Sequence, residues 1–258
     1  MSIPARSGSD VLHLPLLHLS LLANQPGEEA LQRVFDGGAY TWSAFIDGTS
    51  DNFATSAADP PFAQDAFNRR ASRGRSSFDR PHRLAANGVY ELPFRRGQKG
   101  AAGKLLGGWQ LSGFLMFQSG APFSALADTD PDGRFTGLAA SPRPNLNTRL
   151  HLATMSVEEM FRAGGSALFS SVTMAKPLGD LGRNILRADG IVNLDLGVFK
   201  NTRLREGKMV QFRAEFYNTA NTRNFGIPPP IINNANFLNQ WGTDAGARRI
   251  VLALRYTF

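Results

Sequence analysis

Arg248-Arg-Ile-Val-Leu-Ala-Leu-Arg-Tyr-Thr-Phe258 alternates strictly between two kinds of side chain and stops on an aromatic. As a strand it puts Ile250, Leu252, Leu254, Tyr256 and Phe258 on one face and Val251, Ala253, Arg255 and Thr257 on the other. One side is oily and the other small and mixed. A strand of an outer-membrane barrel reads this way, with lipid outside, polar groups inside and an aromatic at the interface. A half-buried strand of a soluble sheet alternates in the same manner, and the terminal aromatic favours the membrane expectation.

The alternation recurs upstream. Met209 to Asn218 sets Val210, Phe212, Ala214 and Phe216 against Gln211, Arg213 and Glu215, and Ile191 to Asn201 sets Val192, Leu194, Leu196 and Val198 against Asn193, Asp195, Gly197 and Phe199. The charged stretch Arg203 to Lys208 between them reads as a short turn. Trp109 to Ser119 places Trp109, Leu111, Gly113, Leu115 and Phe117 on one side. His82 to Phe94 places Leu84, Ala86, Gly88, Tyr90 and Leu92 on one side and is closed by Pro93. These two segments read as a hairpin joined by the Gly- and Lys/Arg-rich Arg95 to Gly108. Ala39 to Asp47 predicts one more strand, with Tyr40 and Trp42 on a shared face, followed by a long polar loop from Gly48 to Arg80. Clusters of Gly, Pro, Asp and Asn separate the segments, which is all-β punctuation.

The 258 residues are 42% hydrophobic and 10% aromatic, ample for an ordered structure. Cysteine is absent, which excludes thiolate catalysis, Cys-ligated zinc and a disulfide framework. No stretch approaches the roughly 20 uninterrupted apolar residues of a membrane-spanning helix. Val11 to Ala23 is Leu-rich and follows Arg6, as in a signal peptide, but Asp10, His13, Pro15 and His18 spoil the pattern. Residues 1–36 are therefore an uninterpretable segment, a weak signal-like run or a mis-assigned start, ahead of one β-rich unit at 37–258.

Several of these stretches match in wording as well as in pattern. Ala39-Tyr-Thr-Trp-Ser43, Arg73-Gly-Arg-Ser-Ser-Phe-Asp79 with His82-Arg83, Val89-Tyr-Glu-Leu-Pro-Phe94, and Leu106-Gly-Gly-Trp-Gln-Leu-Ser-Gly113 with Gln118-Ser-Gly-Ala-Pro-Phe123 resemble the C-terminal barrel of Oar-like TonB-dependent transporters. So do Gly182-Arg-Asn-Ile-Leu-Arg187, Asn193-Leu-Asp-Leu-Gly-Val-Phe-Lys-Asn201, Gln211-Phe-Arg-Ala-Glu-Phe-Tyr-Asn218, Asn224-Phe-Gly226 and the terminal strand. The resemblance runs in the family's order over about residues 37 to 258. It implies an antiparallel transmembrane β-barrel of 22 strands around a plug domain, driven through an inner-membrane energy-transducing protein. Roughly six to eight strands and no plug or energy-coupling box are recognisable, so the chain reads as the C-terminal strands of a larger barrel, from a truncated or split gene, or as a small barrel in its own right, and would reach that protein only through the missing plug. An open sheet cannot persist in hydrocarbon, because every unpaired edge N–H and C=O costs several kcal/mol. Such a segment closes on itself, recruits strands or fails. Eight strands alone would leave a side-chain-filled interior with no substrate path.

The resemblance also assigns partners and roles as expectations. Leu252, Leu254, Tyr256 and Phe258 would form the signal read by the barrel-assembly machinery. Tyr40, Trp42, Tyr90 and Trp109 would sit in aromatic girdles at the two interfaces with outer-membrane lipid and lipopolysaccharide. Asp128-Thr-Asp-Pro-Asp-Gly133 has the alternating carboxylates and glycine of a calcium loop at Asp128, Asp130 and Asp132, although position twelve of an EF-hand would be Ala139. The bland reading is a solvated turn in an external loop. The net charge of +7 and the basic stretch Asn68 to Arg83 raise nucleic acid as a partner, but only Phe78 is interleaved there. Lumenal ion pairing or contact with lipopolysaccharide phosphates is the preferred expectation. The four histidines His13, His18, His82 and His151 show no metal spacing, and the adjacent Glu158 and Glu159 argue no acid–base pair. No catalytic role and no cofactor beyond structural calcium is expected. The alternatives are a soluble secreted β-sandwich binding module, with the oily stripes buried against a second sheet, and a small structural or adhesive outer-membrane barrel.

Overall fold

Strands form where the alternation is cleanest. The computed structural model describes residues 10–13, 17–18, 37–50, 63–65, 67–133, 142–205, 207–240 and 246–258. In chain order the strands are β1 (Asp10–His13), β2 (Leu17–His18), β3 (Gly37–Asp47), β4 (Gly74–Arg75), β5 (His82–Glu91), β6 (Trp109–Gln118) and β7 (Pro122–Phe123). They continue with β8 (Asn145–Leu146), β9 (Phe169–Ser170), β10 (Leu186–Arg187), β11 (Ile191–Arg203), β12 (Met209–Tyr217) and β13 (Arg249–Thr257). Two short helices, α1 (Gly100–Leu106) and α2 (Val157–Arg162), lie in connections. Most of residues 1–36, including the rest of the signal-like run, lies outside the described residues, as does Ala139.

The main sheet is antiparallel with the path β1-β3-β5-β6-β11-β12-β13, and β2 and β4 also pair with β3. The order follows the chain, as in a meander. Register decides what the alternation means, because directly opposed residues share a face. Tyr40 opposes Leu84, which opposes Phe117, which opposes Val192. Gly88, Gly113, Leu196, Phe216 and Ile250 form another row across five strands, and Tyr90, Leu111, Val198, Ala214 and Leu252 the next. All six oily stripes merge into one continuous apolar face. The opposite face collects Arg83, Gln118, Asn193, Asp195, Glu215, Arg213, Gln110 and Gln211 in the same way.

Among the described residues no second sheet covers the apolar face, so Leu252 and Leu254 are 66% and 74% exposed. The sheet is not closed either, and all nine residues of β13 are exposed. The polar face is internally bonded. Arg213 donates to Glu215 (2.5 Å), Tyr217 to Glu215 (3.2 Å), Gln211 to Asn201 (2.8 Å) and Asn193 to Asp195 (3.0 Å).

Connections differ by end. β5–β6 and β11–β12 are joined by short segments at one end, while β3–β5, β6–β11 and β12–β13 are joined by long ones at the other. The hydrophobic core sits in these long loops, not in the sheet. Phe123, Leu152, Val157, Met160, Leu168, Leu181, Leu186, Ile232 and Phe237 pack there, with Phe169 and Phe237 edge to face at 5.7 Å. Within it α2 starts at a capping box, in which Ser156 Oγ accepts from the Glu159 N–H and the Glu159 carboxylate accepts from the Ser156 N–H.

Candidate functional site

The long loops join the strands at a buried polar junction built from three of the quoted stretches. Asp79, from Arg73–Asp79, has a fully buried carboxylate that accepts from the Phe45 N–H (2.8 Å) and from Arg187 (2.9 Å). Arg183, from Gly182–Arg187, is 3% exposed and donates to Asp47 (2.5 Å) and Ser50 (2.6 Å) at the end of β3. Its neighbour Asn184 adopts a left-handed backbone (φ 52°) that Asn tolerates better than most residues. Asn184 donates its N–H to Ser124 (2.9 Å), accepts the Ser124 hydroxyl (3.0 Å), and donates its amide to the Arg75 carbonyl (2.8 Å). Gln118–Phe123 supplies the third side, where Arg187 also donates to the Gly120 carbonyl (2.7 Å).

Close backbone approach explains the glycines here. A Cβ on Gly74 would lie 2.4 Å from the Arg183 carbonyl oxygen, and one on Gly120 1.8 Å from that of Ala188. Segments far apart in sequence are thus clamped main chain to main chain, with each buried charge paired and hydrogen-bonded, the condition for holding charge out of water.

Beside the junction runs a groove of about 680 Å³ lined by Arg70, Arg73, Arg75, Arg183 and Arg187, with Asp47 and Asp79 paired to Arg183, Arg187 and Arg75 at its edge. Arg75 opposes Ile46 on β3, and Ile46 shares its face with Tyr40 and Trp42. The groove therefore starts on the apolar side of the sheet, past the aromatic pair. Tyr40 Oη and His82 Nδ1 are 2.7 Å apart, with their rings stacked.

Tyr40 and Trp42 lie at the long-loop end of the apolar face and Tyr90 and Trp109 at the short-turn end, where Trp109 opposes Lys200. Lys200 donates to the carbonyls of Lys104 (2.6 Å) and Gly107, both in the α1 segment, and its ammonium lies 5.5 Å from the Trp109 ring centre. Leu252, Leu254, Tyr256 and Phe258 project from the edge strand, with Tyr256 and Phe258 stacked at 5.9 Å. Asp128 accepts from Ser171 (2.7 Å) and Asn233 (2.6 Å), and these bonds, Asn233 first, hold its carboxyl below the usual range. Asp130 and Asp132 lie in the following turn, and among the described residues no three His, Asp or Glu side chains are gathered as a metal would require. The stretch Asn68 to Arg83 is divided between a one-turn helix at Arg69–Ser72, β4 and the start of β5.

A family model described as an outer membrane beta barrel domain matches residues 34–251, from just before β3 into β13. The chain belongs to this outer membrane beta barrel domain family. No curated protein and no solved structure matches the chain. An outer membrane beta barrel domain accounts for the two-faced sheet and for long loops gathered at one end with short turns at the other. Also, no helix among the described residues is long and apolar enough to cross a membrane, a finding that leaves strand crossing untouched.

Asp47, Asp79, Arg183, Asn184 and Arg187 were not singled out from sequence. Their signal was present in the quoted stretches, which combine arginine with Gly, Ser and Asn. Which of them meet depends on the path of a 72-residue connection that no periodicity reveals.

Proposed function

We propose that this chain forms the lipid-embedded wall and outer loops of a TonB-dependent, Oar-like transporter. The observation that carries the reading is the convergence of Arg73–Asp79, Gln118–Phe123 and Gly182–Arg187, three of the stretches that resemble those transporters, on one junction holding the long loops over the strands. The polar face then lines the interior, where a plug and a passing ligand would contact Gln110, Arg213 and Glu215. The apolar face meets lipid, with Tyr40 and Trp42 in one girdle and Tyr90 and Trp109 in the other. Further strands would pair with the free edge of β13 and close the wall. Leu252, Leu254, Tyr256 and Phe258 would present that edge to the assembly machinery.

Two measurements test this. Cell fractionation should recover the chain with the outer membrane, in a form that shifts mobility on a denaturing gel when heated; a monodisperse product in plain buffer would instead support the soluble sandwich. Deleting the chain's gene or that of the energy-transducing inner-membrane protein should abolish uptake of the same ligand, whereas uptake that survives the second deletion assigns the barrel to passive diffusion.

A further inference from the structure

The arginine groove has no task in the transport reading, and its position suggests one. Along β3 the apolar face changes character in order. Tyr40 and Trp42 come first, with the Tyr40–His82 pair beside them, and Ile46 with its cross-strand neighbour Arg75 follows about 13 Å beyond Trp42, at ~3.3 Å per residue. Arg70 and Arg73 flank Arg75 at exposed positions, while Arg183 and Arg187 are tied into the junction as the floor. An apolar surface, an aromatic belt and a cluster of five arginines against two carboxylates, Asp47 and Asp79, stacked along one side of a membrane wall, are complementary to an amphiphile with acyl chains and a phosphorylated head. Guanidinium forks bind phosphate oxygens in pairs, and basic side chains beside the hydrocarbon boundary attract anionic head groups.

We infer that the groove lined by Arg70, Arg73 and Arg75 binds the phosphate groups of a phosphorylated glycolipid of the surrounding leaflet. The site rests on the outer-membrane reading and adds to it a defined lipid contact. Because Arg183 and Arg187 are fixed by Asp47 and Asp79, the floor is held in place before the lipid arrives, and the exposed arginines close on the phosphates.

The full chain in detergent is titrated with bisphosphorylated lipid A, with the same lipid after phosphatase treatment, and with inorganic phosphate, and binding is followed by native mass spectrometry. The bisphosphorylated lipid should bind best, and Arg70→Gln/Arg75→Gln should weaken it by on the order of tenfold. Arg95→Gln/Arg96→Gln, at the short-turn end, should leave it unchanged. Arg70→Glu, at an exposed site in a one-turn helix, should reproduce the loss with the heat-shifted gel band intact, which keeps the test independent of folding at Arg75. Equal binding of the phosphatase-treated lipid, binding of inorganic phosphate with no preference for the lipid, or undiminished binding in both arginine variants overturns the site while leaving the barrel reading standing. A chain monodisperse without detergent overturns both.

Discussion

Asp79 shows how much one carboxylate holds at this junction. It satisfies the Phe45 N–H of β3 and the Arg187 guanidinium from a connection more than 100 residues away, and it lies 3.7 Å from Arg75. Asp79→Ala leaves a buried donor and a partly buried cation without their acceptor and should cost about 2–4 kcal/mol in urea unfolding of the detergent-solubilised chain. Asp128 makes a lighter tie between two long loops through Ser171 and Asn233. Those hydrogen bonds lower its carboxyl, so the tie contributes fully above the unfolded value of about 3.9 and is lost as pH falls through the lower folded value. Asp180 moves the same way because it accepts the Leu146 N–H, whereas burial raises Asp189 and opposes them. Protection of the Ile232 amide, taken relative to the intrinsic exchange rate at each pH, should therefore fall below about pH 4, and Asp128→Asn should blunt that response.

Strands with a period of two were legible in the sequence because each residue's face follows from its place alone. β5, β6, β11, β12 and β13 begin and end within a few residues of their expected bounds, and their stripes align across the sheet. What the residues hid has a physical reason in each case. The expected Gly- and Lys/Arg-rich turn at Arg95 to Gly108 contains α1, whose Gly100 and Gly103 weaken its helical signal, and Gly103 is there because a Cβ would lie 2.8 Å from the Gln98 carbonyl carbon. β4 is two residues long, and the core of the long loops is assembled from short irregular pieces with no period to read. The alternation makes a prediction that the absence of native cysteine simplifies. In membranes, Met116→Cys on the polar face should react with a water-soluble thiol reagent, and neighbouring Leu115→Cys on the apolar face should not. Equal labelling of the two would remove lipid from that side of β6.

At the scale of the molecule, two halves rely on different solvents. The sheet exposes its oily rows and depends on hydrocarbon around it, while the long loops enclose Met160, Leu186, Ile232 and their neighbours away from water in the ordinary globular manner. Urea unfolding in detergent should show two steps, loops before strands, detected by circular dichroism and by the heat-shifted gel band; one sharp step with both probes would mean that the halves are inseparable. The junction around Asp79 and Arg183 sets how far apart those steps fall. A damaged clamp would leave the wall standing while its canopy swings loose, so a cell carrying such a variant should keep an intact envelope and yet yield the canopy to an external protease.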